Sequence, residues 1–126
     1  MILVDTSIWI EFLRGRLHIP NSLADHAVTC GPVIQEVLQG VRAHARARAE
    51  KALLSMICVS DPLPAAVFTH AASLYREGRD RGVTIRSSID CLIAAIAIEN
   101  QVPVWHRDRD FDRIASFTSL RTAYKA

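Results

Sequence analysis

Met1-Ile2-Leu3-Val4-Asp5-Thr6-Ser7-Ile8-Trp9-Ile10-Glu11-Phe12-Leu13-Arg14 changes its hydrophobic period partway along. Met1–Val4 is an unbroken apolar run, the pattern of a short strand buried on both faces. Beyond the polar Asp5-Thr6-Ser7, the residues Ile8, Trp9, Phe12 and Leu13 recur at helical spacing, so Ser7 to Arg14 reads as a helix. A buried strand, a carboxylate at its end and a helix behind it form one βα unit. Units of this kind assemble into a parallel sheet.

The same alternation runs through the chain. His26–Cys30 reads as a second strand, broken by Gly31-Pro32. Proline suits the first turn of a helix, and Val33, Ile34, Val37, Leu38 and Val41 then make one apolar stripe. His44 to Lys51 alternates alanine with charge, a solvated helix, and Met56–Val59 is a third strand. Ala65 to Arg81 is a long helix stopped by Gly82. Ser87 to Asn100 is apolar almost all round, so it belongs inside the fold. Val102–Trp105 is a strand, Phe111–Ala115 a short helix and Leu120–Ala123 an edge strand. The expected fold is α/β with a mainly parallel sheet.

Composition sets the outer bounds. At 126 residues, with 50% of them hydrophobic, the chain suits a single domain over 1–126 that buries about two-thirds of its extended surface. The longest apolar run, Cys91 to Ile98, is far short of the roughly 20 residues that a membrane helix needs. Asp5 interrupts the N-terminal apolar stretch and no basic residue precedes it, unlike a secretory leader. Cys30, Cys58 and Cys91 are scattered and lie in apolar surroundings, the pattern of buried thiols in a reducing compartment. A cytoplasmic location is expected. Thirteen arginines against two lysines suit phosphate recognition. The bias equally fits a GC-rich genome, and a net charge of +2 is no basic footprint.

The acids carry more information. In right-handed crossovers, helix N-termini and strand C-termini share the edge of the sheet where ligands bind. Asp5 ends the first strand, Asp108 and Asp110 follow the Val102–Trp105 strand, and Asp90 lies in the first turn of the buried helix. Glu36 is about one turn into the helix that starts near Pro32.

Each acid has an ordinary explanation. Asp5 suits a helix cap, and Ser87-x-x-Asp90 is a variant capping box. Glu36 could be solvated, and the run His106-Arg107-Asp108-Arg109-Asp110 could be an exposed loop. Asp90, however, falls on the apolar arc of Ile93, Ala94 and Ala97. A first-turn carboxylate gains about 1 kcal/mol from the helix dipole, and an unpaired buried charge costs several times that. Capping alone does not account for it.

Convergent carboxylates need a counter-charge. Without a histidine at ligand spacing or a cysteine cluster, the fitting partner is a hard, oxygen-preferring cation, magnesium or manganese. Such an ion in an acidic cleft supports phosphodiester hydrolysis. Arg86, Arg107 and Arg109 stand next to the acids and could position a backbone phosphate. Each could equally be an exposed loop arginine.

Four segments together resemble a known family. They are Ile2-Leu3-Val4-Asp5-Thr6-Ser7, Ile34-Gln35-Glu36-Val37-Leu38-Gln39-Gly40, Ser88-Ile89-Asp90-Cys91-Leu92-Ile93-Ala94-Ala95 and His106-Arg107-Asp108-Arg109-Asp110-Phe111-Asp112. In this order and spacing the chain resembles PIN-domain ribonucleases, in particular the VapC-type toxins of prokaryotic toxin–antitoxin systems. The resemblance implies a three-layer α/β/α sandwich and a Mg2+- or Mn2+-dependent endoribonuclease. It implies catalytic roles for Asp5, Glu36, Asp90 and Asp108, with Asp5, Asp90 and Asp108 as metal ligands. Thr6 would support the metal site, and Asp110 matches a frequent second acid of the last motif. The resemblance further implies an RNA substrate, a homodimer and a VapB-like cognate antitoxin whose tail fills the cleft. Exposed parts of Trp9, Phe12 and the Ala65–Tyr75 region are candidate contacts for such partners.

A phosphotransfer receiver domain would want a lysine after a late strand, and the only lysines are Lys51 and Lys125. The rival from another class is a non-catalytic RNA-binding or scaffolding module on the same fold.

Overall fold

The computed structural model describes residues 1–123. The chain runs β1 (Ile2–Val4), α1 (Thr6–Leu13), α2 (Asn21–Ala24), β2 (Ala27–Thr29), α3 (Gly31–Gly40) and a 3-10 turn (Ala43–Ala45). It continues α4 (Arg46–Leu54), β3 (Ile57–Cys58), α5 (Ala65–Asp80), α6 (Ser88–Glu99), β4 (Val104–Trp105), α7 (Arg109–Ala115) and β5 (Thr122–Ala123). The strands form one sheet in the order β3-β2-β1-β4-β5, and every neighbouring pair is parallel. Leu3 of the central strand pairs with Val28 on one side and Val104 on the other.

This order fixes where a ligand can sit. From β1 the chain winds outward through β2 to β3, then crosses back to β4 and on to β5. Right-handed crossovers therefore put α1, α3 and α4 on one face and α5, α6 and α7 on the other. The winding reverses between β1 and β4, and the crevice beyond their C-terminal ends is the switch point where open α/β sheets bind ligands. Asp5 leaves β1 at that point, and the segment His106–Asp108 leaves β4 there.

The core explains why the site-bearing helix is held so firmly. Ile93, Ala94, Ala95, Ile96 and Ala97 of α6 are fully buried, in a helix packed against α5 and α7. Alternating isoleucine with alanine lets that helix pack closely on both neighbours. The loop feeding α6 folds back on α5 at Gly78, where a Cβ would stand 2.9 Å from Ile85 Cδ1 and 3.3 Å from the Val83 carbonyl oxygen. Glycine permits this approach, and Val83 N donates to the Gly78 carbonyl at 2.8 Å.

The expected elements are present with shifted ends. The stretch after Gly15, which reads as loop, contains the single turn α2, with no buried residue to mark it in the sequence. The solvated helix from His44 divides into the 3-10 turn and α4, which runs on to Leu54. The last helix begins at Arg109 because Asp108 caps it, accepting a hydrogen bond from Asp110 N at 2.9 Å.

Candidate functional site

Asp5 does cap α1, but with one oxygen only. Its Oδ2 accepts from Ser7 N at 3.0 Å and from the Ser7 hydroxyl at 2.6 Å. The Ser7 oxygen in turn accepts from Arg107 N at 3.0 Å, tying the β1–α1 junction to the segment after β4. Asp5 Oδ1 is buried and has no hydrogen-bond partner among the described residues. The Asp5 side chain is too deep for water to replace that partner freely, at 3% exposure.

Asp90 shows the same signature more strongly. It is 5% exposed, and its Oδ2 is buried without a partner among the described residues. Ser87 occupies the N-cap position of α6 but makes no side-chain capping bond. The capping-box explanation of Asp90 therefore does not hold in this fold. Glu36, half-buried in α3, accepts the Thr6 hydroxyl at 3.0 Å, so Thr6 orients the glutamate across 30 residues of sequence. Asp108, half-buried, spends one oxygen on the α7 cap, and its backbone N–H donates to His106 Nδ1 at 3.1 Å.

The carboxylates form two overlapping triads. One oxygen from each of Asp5, Glu36 and Asp90 lies within 4.8 Å of the others, and the same holds for Asp90, Asp108 and Asp110. Asp90 belongs to both. Four separate elements or junctions thus deliver acids to the switch point, as the spacing of the motifs predicts.

The crowding shows in their acidity. Burial raises Asp5 above its usual range despite the Ser7 hydrogen bonds, and Asp108 adds to the rise. Burial also raises Glu36, opposed by the Thr6 hydroxyl and reinforced by Asp5 and Asp108. Asp90 is pushed up to about 9, first by burial, then by the proton it shares with Asp110, then by the charge of Asp108. Asp110 moves the other way. Burial alone would raise it, but Asp90, the amides of Arg86 and Ser87, and the Arg113 guanidinium together hold it below the usual carboxylate range. An oxygen-only cluster that protonates for want of positive charge, with two orphaned buried oxygens, has the donor chemistry of a Mg2+ or Mn2+ site.

Beside Asp108 opens a cavity of about 270 Å3 lined by Ser7, Arg86, Arg107, Asp108, Arg109 and Arg113. All three arginines singled out in the sequence line it. Arg107 also reaches Glu11 at 3.5 Å, whereas the exposed guanidinium groups of Arg86 and Arg109 make no hydrogen bond among the described residues.

Three contributors escape a sequence reading. Ser7 looks like part of a polar helix start. Arg113 is visible as a partner of Asp110 only once both sit in one helix, three residues apart, with Nη1 3.1 Å from Asp110 Oδ1. His106 is buried, its ring 5.1 Å from that of Phe111, and it orients the Asp108 backbone.

A parallel α/β sheet with a cluster of carboxylates at its switch point places the chain among the open α/β folds. Residues 2–116 match the family model of the PIN domain, and the chain belongs to that family. It is similar to Ribonuclease VapC11 of Mycobacterium tuberculosis, 37% identical over an alignment of 134 positions, gaps included, that covers 98% of each chain. VapC ribonuclease Mb1587 of Mycobacterium bovis matches with the same figures. Among solved structures, VapBC-1 of nontypeable Haemophilus influenzae superposes with a TM-score of 0.71, at 18% identity, covering 98% of this chain and 97% of that one. VapBC2 of Rickettsia felis, bound to a promoter DNA fragment, gives 0.69 at 18% identity over 98% of both chains. At that identity the structures speak for the fold alone.

Proposed function

We propose that the chain is the toxin of a toxin–antitoxin pair, an endoribonuclease that hydrolyses RNA phosphodiester bonds with a Mg2+ or Mn2+ ion. The observation that carries this reading is the pair of carboxylate triads joined at buried Asp90, with unpaired oxygens on Asp5 and Asp90. The full-length likeness to two proteins named as VapC ribonucleases supports the activity.

In this reading Asp5, Asp90 and Asp108 hold the ion and Glu36 completes the acidic site, oriented by Thr6. When bound, such an ion would lower the pKa of a coordinated water and neutralise charge on the phosphate oxygens. The protein's own part is to place those carboxylates on rigid elements and to exclude bulk water from Asp5 and Asp90. Arg86, Arg107 and Arg109 would hold the RNA backbone beside the cluster. Residues 1–126 are read as one PIN domain located in the cytoplasm. Among the described residues no helix is long and apolar enough to cross a membrane.

The partners proposed are a cognate VapB-like antitoxin and a second copy of the chain. Phe12, Phe68 and Tyr75 are exposed and supply apolar surface for such contacts. Trp9 is buried in the core, so it offers none.

The test is cleavage of total RNA by the purified, antitoxin-free chain with magnesium, with manganese and with EDTA. Fragments are expected with either metal and none with EDTA. Intact RNA under all three conditions, alongside RNA retention in a binding assay, would favour the non-catalytic module instead.

The arginines make a separate prediction. Replacing Arg86 and Arg109 together by glutamine should raise KM for RNA and leave Mn2+ affinity unaltered. Each lost phosphate contact lowers the slope of log affinity against log salt by about 0.7 for a single strand. An unchanged salt slope would remove both residues from the RNA interface.

A further inference from the structure

The two triads differ in what already engages their oxygens. In the first, Asp5 and Asp90 each keep a buried oxygen with no partner among the described residues. In the second, Asp110 is 2% exposed and has both oxygens taken. Its Oδ1 accepts from Arg113 Nη1 at 3.1 Å and from Arg86 N at 3.2 Å. Its Oδ2 accepts from Arg86 N and Ser87 N, both at 3.1 Å. Three N–H donors, the Arg86 amide being bifurcated over both oxygens, hold this carboxylate on the protein's side, and the Arg113 guanidinium beside it opposes a cation there.

The donors also say what Asp110 is for. Arg86 and Ser87 are the residues by which the chain enters α6, and Ser87 makes no side-chain cap of its own. Asp110 reaches over from α7 and ties down that entry, three residues before Asp90. The Arg113 guanidinium supplies beside Asp110 the positive charge that a second ion would otherwise bring.

We infer that Asp110 is a positioning residue and that the cluster holds one cation, shared by Asp5, Asp90 and Asp108 with Glu36 beside it. Arg113 closes the second triad. This rests on the metal-binding reading of the site given above, and it goes further by setting the number of ions and the part played by Asp110.

Titration of the purified full chain with Mn2+, followed by calorimetry and by the paramagnetic resonance of free Mn2+, tests it. One ion per chain is expected in the parent, in Asp110→Ala and in Asp110→Asn. Affinity should fall about 10–100-fold in Asp110→Ala, the usual cost of losing a group that orients a ligand. Asp110→Asn keeps an oxygen for the Arg86 and Ser87 amides and should recover most of that loss. Such rescue separates positioning from direct ligation. Two ions in the parent and one in both variants would make Asp110 a ligand and overturn the inference, leaving the metal site standing. Unchanged affinity in Asp110→Ala would overturn the positioning role. If Asp110→Ala does not fold, the parent stoichiometry and Asp110→Asn still decide. No Mn2+ bound by the parent would overturn the metal site itself, and the inference with it.

Discussion

Asp90→Asn is expected to slow RNA cleavage by about 1,000-fold or more, with Asp5→Asn close behind, while both proteins keep the parent's circular dichroism. Losing the anchor of a catalytic ion forfeits several kcal/mol of transition-state stabilisation, and about 4 kcal/mol corresponds to about 1,000-fold in rate. Asparagine matches aspartate in volume, so the packing around α6 is undisturbed and only the charge is lost. Asp90 should be the more sensitive of the two, because it is the one acid common to both triads. Asp80→Asn, at the exposed end of α5 and in neither triad, serves as the control and should retain full activity. Full cleavage by either Asp5→Asn or Asp90→Asn would remove that residue from the site. A loss in both, with Mn2+ affinity unchanged, would break the link between the carboxylates and the ion.

What the sequence disclosed about the site follows from where backbone geometry alone does the work. Asp5 and Asp108 directly follow or closely trail apolar strands, so strand ends read from hydrophobic runs already place them at one edge. Asp90 stood out because a charge on an apolar arc contradicts its surroundings, and the fold bears that contradiction out in an oxygen with no partner among the described residues. Glu36 carried no such mark. Its place depends on the Thr6 hydroxyl 30 positions away, a contact that only the pairing of α1 with α3 creates. Ser87 misled for the same reason. A Ser-x-x-Asp spacing describes a local cap, whereas the entry to α6 is secured by Asp110 from 23 residues further along. Local patterns report local bonds, and the brace and the arginine-lined cavity are built from tertiary ones. The single-turn α2 lay beyond reach because Leu23 alone packs against the core, and one apolar residue leaves no periodic trace.

In EDTA at pH 8, Asp90→Asn should be more stable than the parent, and Mg2+ should narrow the difference. Four other carboxylates, Asp5, Glu36, Asp108 and Asp110, gather round Asp90, so without a cation the folded chain accommodates Asp90 best as the neutral acid. Burial, the proton shared with Asp110 and the charge of Asp108 push it up to about 9, against about 3.9 in the unfolded chain. Between those values the folded state holds a proton that the unfolded state has released. The stability of the metal-free protein therefore falls as pH rises, and the loss is complete once pH passes the folded value. Asparagine has no charge to bury, so its advantage over aspartate grows with pH, by no more than about 1.4 kcal/mol per unit for one proton. Magnesium binds the folded parent through that same carboxylate, and at 100 times its dissociation constant it adds about 2.7 kcal/mol. The asparagine variant gains little of this. Calorimetry at pH 6, 7 and 8, with EDTA and with Mg2+, reads both effects. A variant less stable than its parent in EDTA at pH 8 would mean that Asp90 serves the N-terminus of α6, where a charge contributes about 1 kcal/mol. Its burial would then be a matter of helix stability, and the orphaned oxygen would have no cation to explain it.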